Sequence, residues 1–231
     1  MGWGDDLMCT GVARHIHDTF GHKVHFGYES EIFDLCPYID TSGLLIPGNN
    51  PGSLRPYVLG SIENRMVWNP TFRPLPGVVS PPYRPRQGFW IIEPHVKNTY
   101  SRNKDWGRWD QVAATLLERG WELAQLQGPP LEGVKFLDTE TFTEALSWMA
   151  ASEGYIGPEG GLHHAAAAFG KPAVVVFGGY IHPNVTGYDF HENLGGDWCG
   201  ARNPCNHCRE KLDEITVEDV VNAAERIRHR T

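Results

Sequence analysis

The chain has 231 residues, of which 41% are hydrophobic and 21% charged, enough to bury a core without disulfide staples in one large domain or two small ones. Its 20 Lys and Arg against 28 Asp and Glu leave a formal charge of -8, which argues against a nonspecific binder of phosphate backbones. No apolar run approaches the roughly 18 residues of a membrane span, and the N-terminus lacks the basic-then-apolar layout of an export signal, so the cytoplasm is the expected compartment.

In chain order, GWGDDLMCTGVAR (2–14) opens with two glycines and an acidic pair. A helix is predicted over Leu7 to Phe20, ended by Gly21, and a short strand over His22 to Tyr28, where polar and apolar residues alternate. Residues 47–87 are rich in Pro, Gly, Asn and Arg with no period, as in a functional loop or an inter-domain connection. Gly88 to Glu93 (GFWIIE) is the apolar run of a buried strand. A helix follows over Trp109 to Arg119, stopped by Gly120, and then a strand over Trp121 to Leu126. Thr141 and Glu144 form a capping box for a helix through Met149. Glu153 to Ile156 is a very short strand, Gly161 to Phe169 an alanine-rich helix, and Ala173 to Phe177 (AVVVF) a central parallel strand. Thr216 and Asp219 cap a last helix with Val217, Val220, Val221, Ala224 and Ile227 on one face. Alternating strands and helices imply a doubly wound parallel sheet.

Three stretches carry chemistry. Asp5 and Asp6 stand at a glycine loop and a helix start, where a carboxylate either caps the helix or accepts a proton from a bound hydroxyl. GPEGGLHHAAAAFGKP (157–172) places glycines before a helix whose amides and dipole favour a diphosphate; Glu159 there suits sugar or ribose hydroxyls. EPHVKNTYSRNKDWGRW (93–109) offers Lys97, Arg102, Lys104 and Arg108 at the C-terminal end of a predicted strand, where ligands bind in such sheets. Separately, Cys199, Cys205 and Cys208 cluster in CGARNPCNHC (199–208), read as a tight loop; they suit a redox pair, simple packing or zinc, with His191 or His182 as a fourth ligand. Five cysteines without an export signal do not read as a disulfide framework.

In combination these motifs resemble the heptosyltransferase-like glycosyltransferases of family 9, which have the GT-B fold. The family's GxGDxLMxTP-type loop is matched by Gly2, Gly4, Asp5, Leu7, Met8 and Thr10. Its Pro-His turn and Lys-x-Trp motif are matched by Pro94, His95, Lys104 and Trp106. Its DSGPMHLAAALGKPxVALFG signature is matched by EGGLHHAAAAFGKPAVVVFG (159–178), with Glu159 in place of Asp and His164 at the family His. Its Cys-Pro-Cys-like loop corresponds to Pro204 to Cys208. The resemblance covers about residues 1–30 and 88–231. It departs at the N-terminus: the family's loop follows an apolar strand, and this sequence starts at Met1 inside the loop.

The resemblance implies two Rossmann-like parallel-sheet domains, an abbreviated acceptor-side one over 1–87 and a nucleotide-sugar-binding one over 88–231. It implies an inverting, metal-independent transfer of a sugar from a nucleotide-sugar co-substrate to a glycan-type acceptor, with no further cofactor. Asp5 would be the base. Lys104, Glu159, Gly160, Gly161, His164 and His95 would hold the donor. Rival readings are transfer to modified bases of (phage) DNA, which Arg55, Arg65, Arg73, Arg84 and Arg86 favour and net charge disfavours; a sugar-nucleotide epimerase; and a non-catalytic nucleotide-sugar or glycan binder.

Overall fold

The computed structural model describes residues 2–42, 58–59, 66–67, 73–75, 88–96, 102–179, 181–197, 199, 201 and 204–230. The chain is α/β. Helices α1 (Trp3–Phe20) and α2 (Glu31–Asp34) come first, followed by a small antiparallel pair, β1 (Val58–Leu59) with β2 (Met66–Val67). The main sheet is built from β3 (Phe89–Ile92), β4 (Glu122–Gln125), β5 (Lys135–Phe136), β6 (Gly154–Pro158), β7 (Ala173–Val176) and β8 (Glu192–Leu194). A 3-10 turn (Arg102–Lys104), α3 (Trp109–Glu118), α4 (Phe142–Ala151), α5 (Gly161–Ala168), α6 (Pro183–Thr186), α7 (Asn206–Glu214) and α8 (Val217–Arg228) complete it.

The six strands are all parallel, in the order β5-β4-β3-β6-β7-β8. Counted from β3, this is the order 3-2-1-4-5-6 of dinucleotide-binding sheets. The chain reverses direction of build between β3 and β6. In such sheets the crevice at the C-terminal ends of these two strands is where a ligand fits.

Both faces of the sheet are covered, and the strands alternate accordingly. Phe89 and Ile91 of β3, with Ala173 and Val175 of β7, face one core with α1, α2, α4 and α5. Trp90 and Ile92, with Val174 and Val176, face the other with α3 and α8. This is why the strands read as unbroken apolar runs. The capping boxes Thr141–Glu144 and Thr216–Asp219 are both formed, and Gly120 lies at φ +78 just past α3.

Residues 2–42 join the core of the main sheet. Leu7, Cys9, Ala13, Ile32, Phe33, Cys36 and Ile39 belong to the same buried cluster as Phe89 and Ile91. Most of the segment on which a boundary at residue 87 turns lies outside the described residues.

Three expectations are corrected. Helix α1 begins at Trp3, not Leu7, because Gly2 caps it and Asp5 and Asp6 fall in its first turn, where carboxylates favour the helix dipole. His22 to Tyr28 is not a strand: only Val24 pairs, in an isolated parallel bridge to Ile39, and Gly27 at φ +69 turns the chain away. The cysteine loop becomes helix at Asn206, with Cys205 as its cap.

Ile91 is fully buried in the central strand. Ile91→Ala should cost about 2–5 kcal/mol of unfolding free energy, read from the urea midpoint at unchanged slope. A loss well under 1 kcal/mol would show that this strand is not the packing centre.

Candidate functional site

Strands β3 and β6 are each followed directly by a glutamate. Glu159 follows β6 at 6% exposure, and its carboxylate is paired with the ammonium of Lys104, itself only 9% exposed. The Lys104 Nζ also donates to the Glu159 carbonyl at 3.3 Å. On the carboxylate's other side, Glu159 Oε1 stands 3.7 Å from His164 Nε2, and His164 Nδ1 is 2.8 Å from the Tyr188 hydroxyl. Burial alone would push the Glu159 carboxyl up; the Lys104 charge, then His164, holds it well below the usual range. The site thus contains a buried, charged Lys–Glu pair backed by a histidine and a tyrosine.

The surrounding backbone is built for close approach. Gly160 caps α5, and a Cβ there would meet nothing within 4 Å. A Cβ on Gly161 would stand 3.2 Å from the Phe142 ring and 3.3 Å from the Trp3 Cβ. A Cβ on Gly4 would lie 2.9 Å from the His164 ring. The start of α1 is therefore seated on the start of α5, with Gly4 against His164 and Trp3 against Gly161. Asp5 is half-buried, and its Oδ2 accepts from the Gly2 amide at 3.1 Å. Asp6 has a structural role: buried, it accepts from Tyr28 Oη at 3.0 Å and Ser30 Oγ at 2.8 Å, and burial raises its pKa.

Glu93 directly follows β3. It is buried and accepts backbone amides of His95, Leu126 and Gln127 at 2.8–3.2 Å. Burial raises its pKa to about 7 against the pull of those amides. It binds the loop after β3 to the loop after β4. His95 is exposed on that loop, with its side chain against Gly128. Sequence reasoning passed over Glu93, although a glutamate closing an apolar strand was its visible signal.

Of the other cations in the 93–109 stretch, Lys97 and the side chain of Arg102 lie outside the described residues. Arg108 is structural: it bonds the Ile215 carbonyl at 2.7 Å and Asp213 at 3.0 Å. Trp106 is buried, its indole N–H donating to the Leu212 and Ile215 carbonyls. Of the middle-zone arginines only Arg73 is described, and its guanidinium lies over the Phe190 ring at 4.4 Å.

The three cysteines converge. Cys199, Cys205 and Cys208 sulfurs are 3.2–3.6 Å apart. Sulfurs on one tetrahedral metal stand roughly 3.7 Å apart, given metal–sulfur bonds near 2.3 Å, so the donor set fits a thiolate-bound transition metal. The Cys208 amide bonded to the Cys205 sulfur lowers the Cys205 pKa. His191 does not join them: it is buried beside His163 and Tyr188, with Nε2 3.2 Å from the Lys171 carbonyl. His182 is the helix cap of α6, its Nδ1 accepting from the Asn184 amide.

Comparison with solved structures gives the architecture a counterpart. The chain is similar to TibC, described as a bacterial iron-containing dodecameric glycosyltransferase from enterotoxigenic E. coli (TM-score 0.54, 16% identity, 73% of this chain and 50% of that one). The fold is that of the heptosyltransferase-like, GT-B glycosyltransferases. E. coli ADP-heptose LPS heptosyltransferase II (TM-score 0.49, 16% identity, 62% and 47%) and a glycosyl transferase family 9 protein of Veillonella parvula (0.49, 15%, 64% and 48%) also match. The chain spans about half the length of these heptosyltransferase-like structures. No family model matches the chain, and no curated protein matches it. No helix among the described residues is long and apolar enough to cross a membrane.

The histidines behind the site make stability depend on pH. Burial holds His191 at about 3 and His163 well below its usual range. Below pH 6.5 the unfolded chain takes up two protons that the folded chain refuses, so both groups lower stability as pH falls. Glu93 acts oppositely: between about 7 and 4.5 the folded chain holds a proton that the unfolded chain has lost. The two histidines outweigh the one glutamate across this window, so the net pH dependence takes their sign. Unfolding free energy should therefore be lower at pH 5 than at pH 7, and this difference should shrink in His191→Asn. An unchanged pH slope in that variant would contradict a neutral, buried His191.

Proposed function

We propose that this chain carries the donor-binding and catalytic centre of a glycosyltransferase that moves a sugar from a nucleotide-sugar donor to an acceptor hydroxyl with inversion. The observation that carries the reading is the Lys104–Glu159–His164 cluster at the β3/β6 crevice, with the Asp5 end of α1 seated against it. The TibC structure solved with ADP-D-beta-D-heptose makes an ADP-sugar the first donor to try.

In this reading the donor diphosphate lies at the start of α5, where open space at Gly160 and the helix dipole favour an anion. Glu159 and His164 take hydroxyls of the donor, and Glu159 also holds the Lys104 ammonium in place. Asp5 removes the proton from the acceptor hydroxyl. That oxygen attacks the anomeric carbon from the side opposite the diphosphate, and the bond to the leaving oxygen breaks. The electron pair departs with the diphosphate, whose growing charge Lys104 and the α5 amides stabilise. A single in-line displacement inverts the anomeric carbon. His95, on the loop after β3, contacts the far end of the donor. Glycan-type hydroxyls are the acceptor class, approaching from the α1 side of the cluster, while the donor lies against the main sheet.

No divalent cation enters this displacement, since Lys104 supplies the charge. The thiol cluster is a separate, structural site, and Cys199, Cys205 and Cys208 are the residues that would hold an ion such as zinc or iron. Elemental analysis of the purified protein should give about one transition-metal ion per chain, lost in Cys208→Ser. Less than about 0.1 ion per chain after expression with zinc and iron supplied would rule the site out.

The decisive assay is release of nucleoside diphosphate from a nucleotide-sugar panel that includes ADP-heptose. Lys104→Ala should lower kcat/KM by about 10²-fold, with weaker nucleotide binding the smaller part of the loss. Alanine leaves Glu159 buried without its counter-charge, so rates are expressed per folded protein. Asp5→Asn should cut turnover by about 10²-fold while nucleotide affinity holds. A wild-type rate in Lys104→Ala moves the donor site elsewhere; a wild-type rate in Asp5→Asn removes the base.

A further inference from the structure

Trp3 occupies the first helical position of α1, two residues before Asp5, and the displacement chemistry makes no use of it. Its ring lies parallel to that of Phe142, with centroids 5.1 Å apart and planes within 1°. Phe142 is buried at the start of α4, so it fixes the inner face of the indole from the core. The same two residues flank Gly161, and the next residue of α1, Gly4, abuts His164. Trp3 therefore stands at the rim of the Lys104–Glu159–His164 cluster. It is nevertheless 37% exposed. Among the described residues the other exposed large hydrophobic side chains are Phe20, at the far end of α1, and Phe136, on edge strand β5.

We propose that the outer face of Trp3 is a stacking platform for a pyranose ring handled at this site; the inference rests on the transferase reading. Pyranose rings present axial C–H bonds as an apolar face, and a flat aromatic surface is the protein group that matches it. A ring already locked against Phe142 loses little freedom on binding. The indole N–H, at the ring's edge, is a donor for a sugar hydroxyl. The sugar is that of the donor or that of the acceptor, and the two sources give different responses in the test.

The test uses the full chain labelled with [15N]tryptophan. The Trp3 indole signal is the one missing from the spectrum of Trp3→Phe. Wild type is titrated with ADP, with ADP-heptose, and, in the presence of ADP, with mannose, galactose and N-acetylglucosamine. A shift of the Trp3 signal with ADP-heptose beyond that with ADP assigns the platform to the donor sugar. A shift with a free monosaccharide assigns it to the acceptor. In either case Trp3→Ala should weaken that ligand about tenfold, and Trp3→Phe, which keeps a ring, less than about threefold. A silent Trp3 signal with every sugar overturns the proposal. So does a shift produced in full by ADP alone, which would make Trp3 a nucleobase contact, or an undiminished affinity in Trp3→Ala. Nucleoside diphosphate release is measured on the same samples. Release with a silent Trp3 sinks the platform alone, whereas a sugar-dependent Trp3 shift without release sinks the transferase reading and leaves a sugar-binding site.

Discussion

A lysine and a glutamate, both almost out of water, meet where the strand order of the sheet reverses. Either charge alone at that depth would be costly, and removing one partner of such a pair commonly costs about 3–5 kcal/mol. The pair ties two segments more than fifty residues apart in sequence: the 3-10 turn ahead of α3 and the turn between β6 and α5. His164 braces the carboxylate from the other side, and the Tyr188 hydroxyl fixes His164. Replacing a buried ion pair by apolar residues is often neutral or stabilising. Stability alone is therefore a weak account of its presence; in the proposed transferase, an ammonium held in a set place would be preorganised for an anion that forms there.

The N-terminal helices are part of this arrangement. Helix α1 buries Leu7, Met8, Cys9, Thr10 and Ala13 and packs on α5 and α2. Thr10 adds a polar tie, its hydroxyl donating to the Leu7 carbonyl at 2.6 Å and accepting from the Leu75 amide at 2.8 Å. Glycine at position 4 lets the first turn approach α5 until the helices touch backbone to ring. Asp6 is spent on Tyr28 and Ser30, so the acidic pair divides its labour: one carboxylate anchors the following loop, the other caps the start of α1 through the Gly2 amide.

Much of this was legible from local signals. The runs FWII and AVVV read as strands because a sheet covered on both faces asks for apolar residues at every position. The helix starts at Thr141 and Thr216 were legible because a capping box is a spacing of side chains within four residues. What escaped depends on partners far away. Polar alternation in His22–Tyr28 resembles a half-buried strand, but Val24 finds only one paired residue. Strand β8 (Glu192–Leu194) is too short and polar to show a period, and it exists because β7 offers it an edge. Lys104 and Glu159 were each singled out on separate grounds, one as a loop cation and one as a ligand for hydroxyls. That they neutralise each other is a property of the sheet order, which no local window contains.

The thiol cluster is joined by contacts to the turn that carries the same lysine. Cys208 packs against Gly179, in the loop that leaves β7, and the Cys199 amide donates to the Gly179 carbonyl at 3.1 Å. Two residues on, the Ala201 carbonyl accepts from the side chain of Asn103, the residue before Lys104. Gly178 completes the contact, because any Cβ there would run into the Asn103 carbonyl. An ion on the three sulfurs would therefore fix the 199–208 segment, through it the 3-10 turn, and through that turn the height of the ammonium above the α5 start. Such an ion would act on the site through geometry, by setting where the Lys104 ammonium stands.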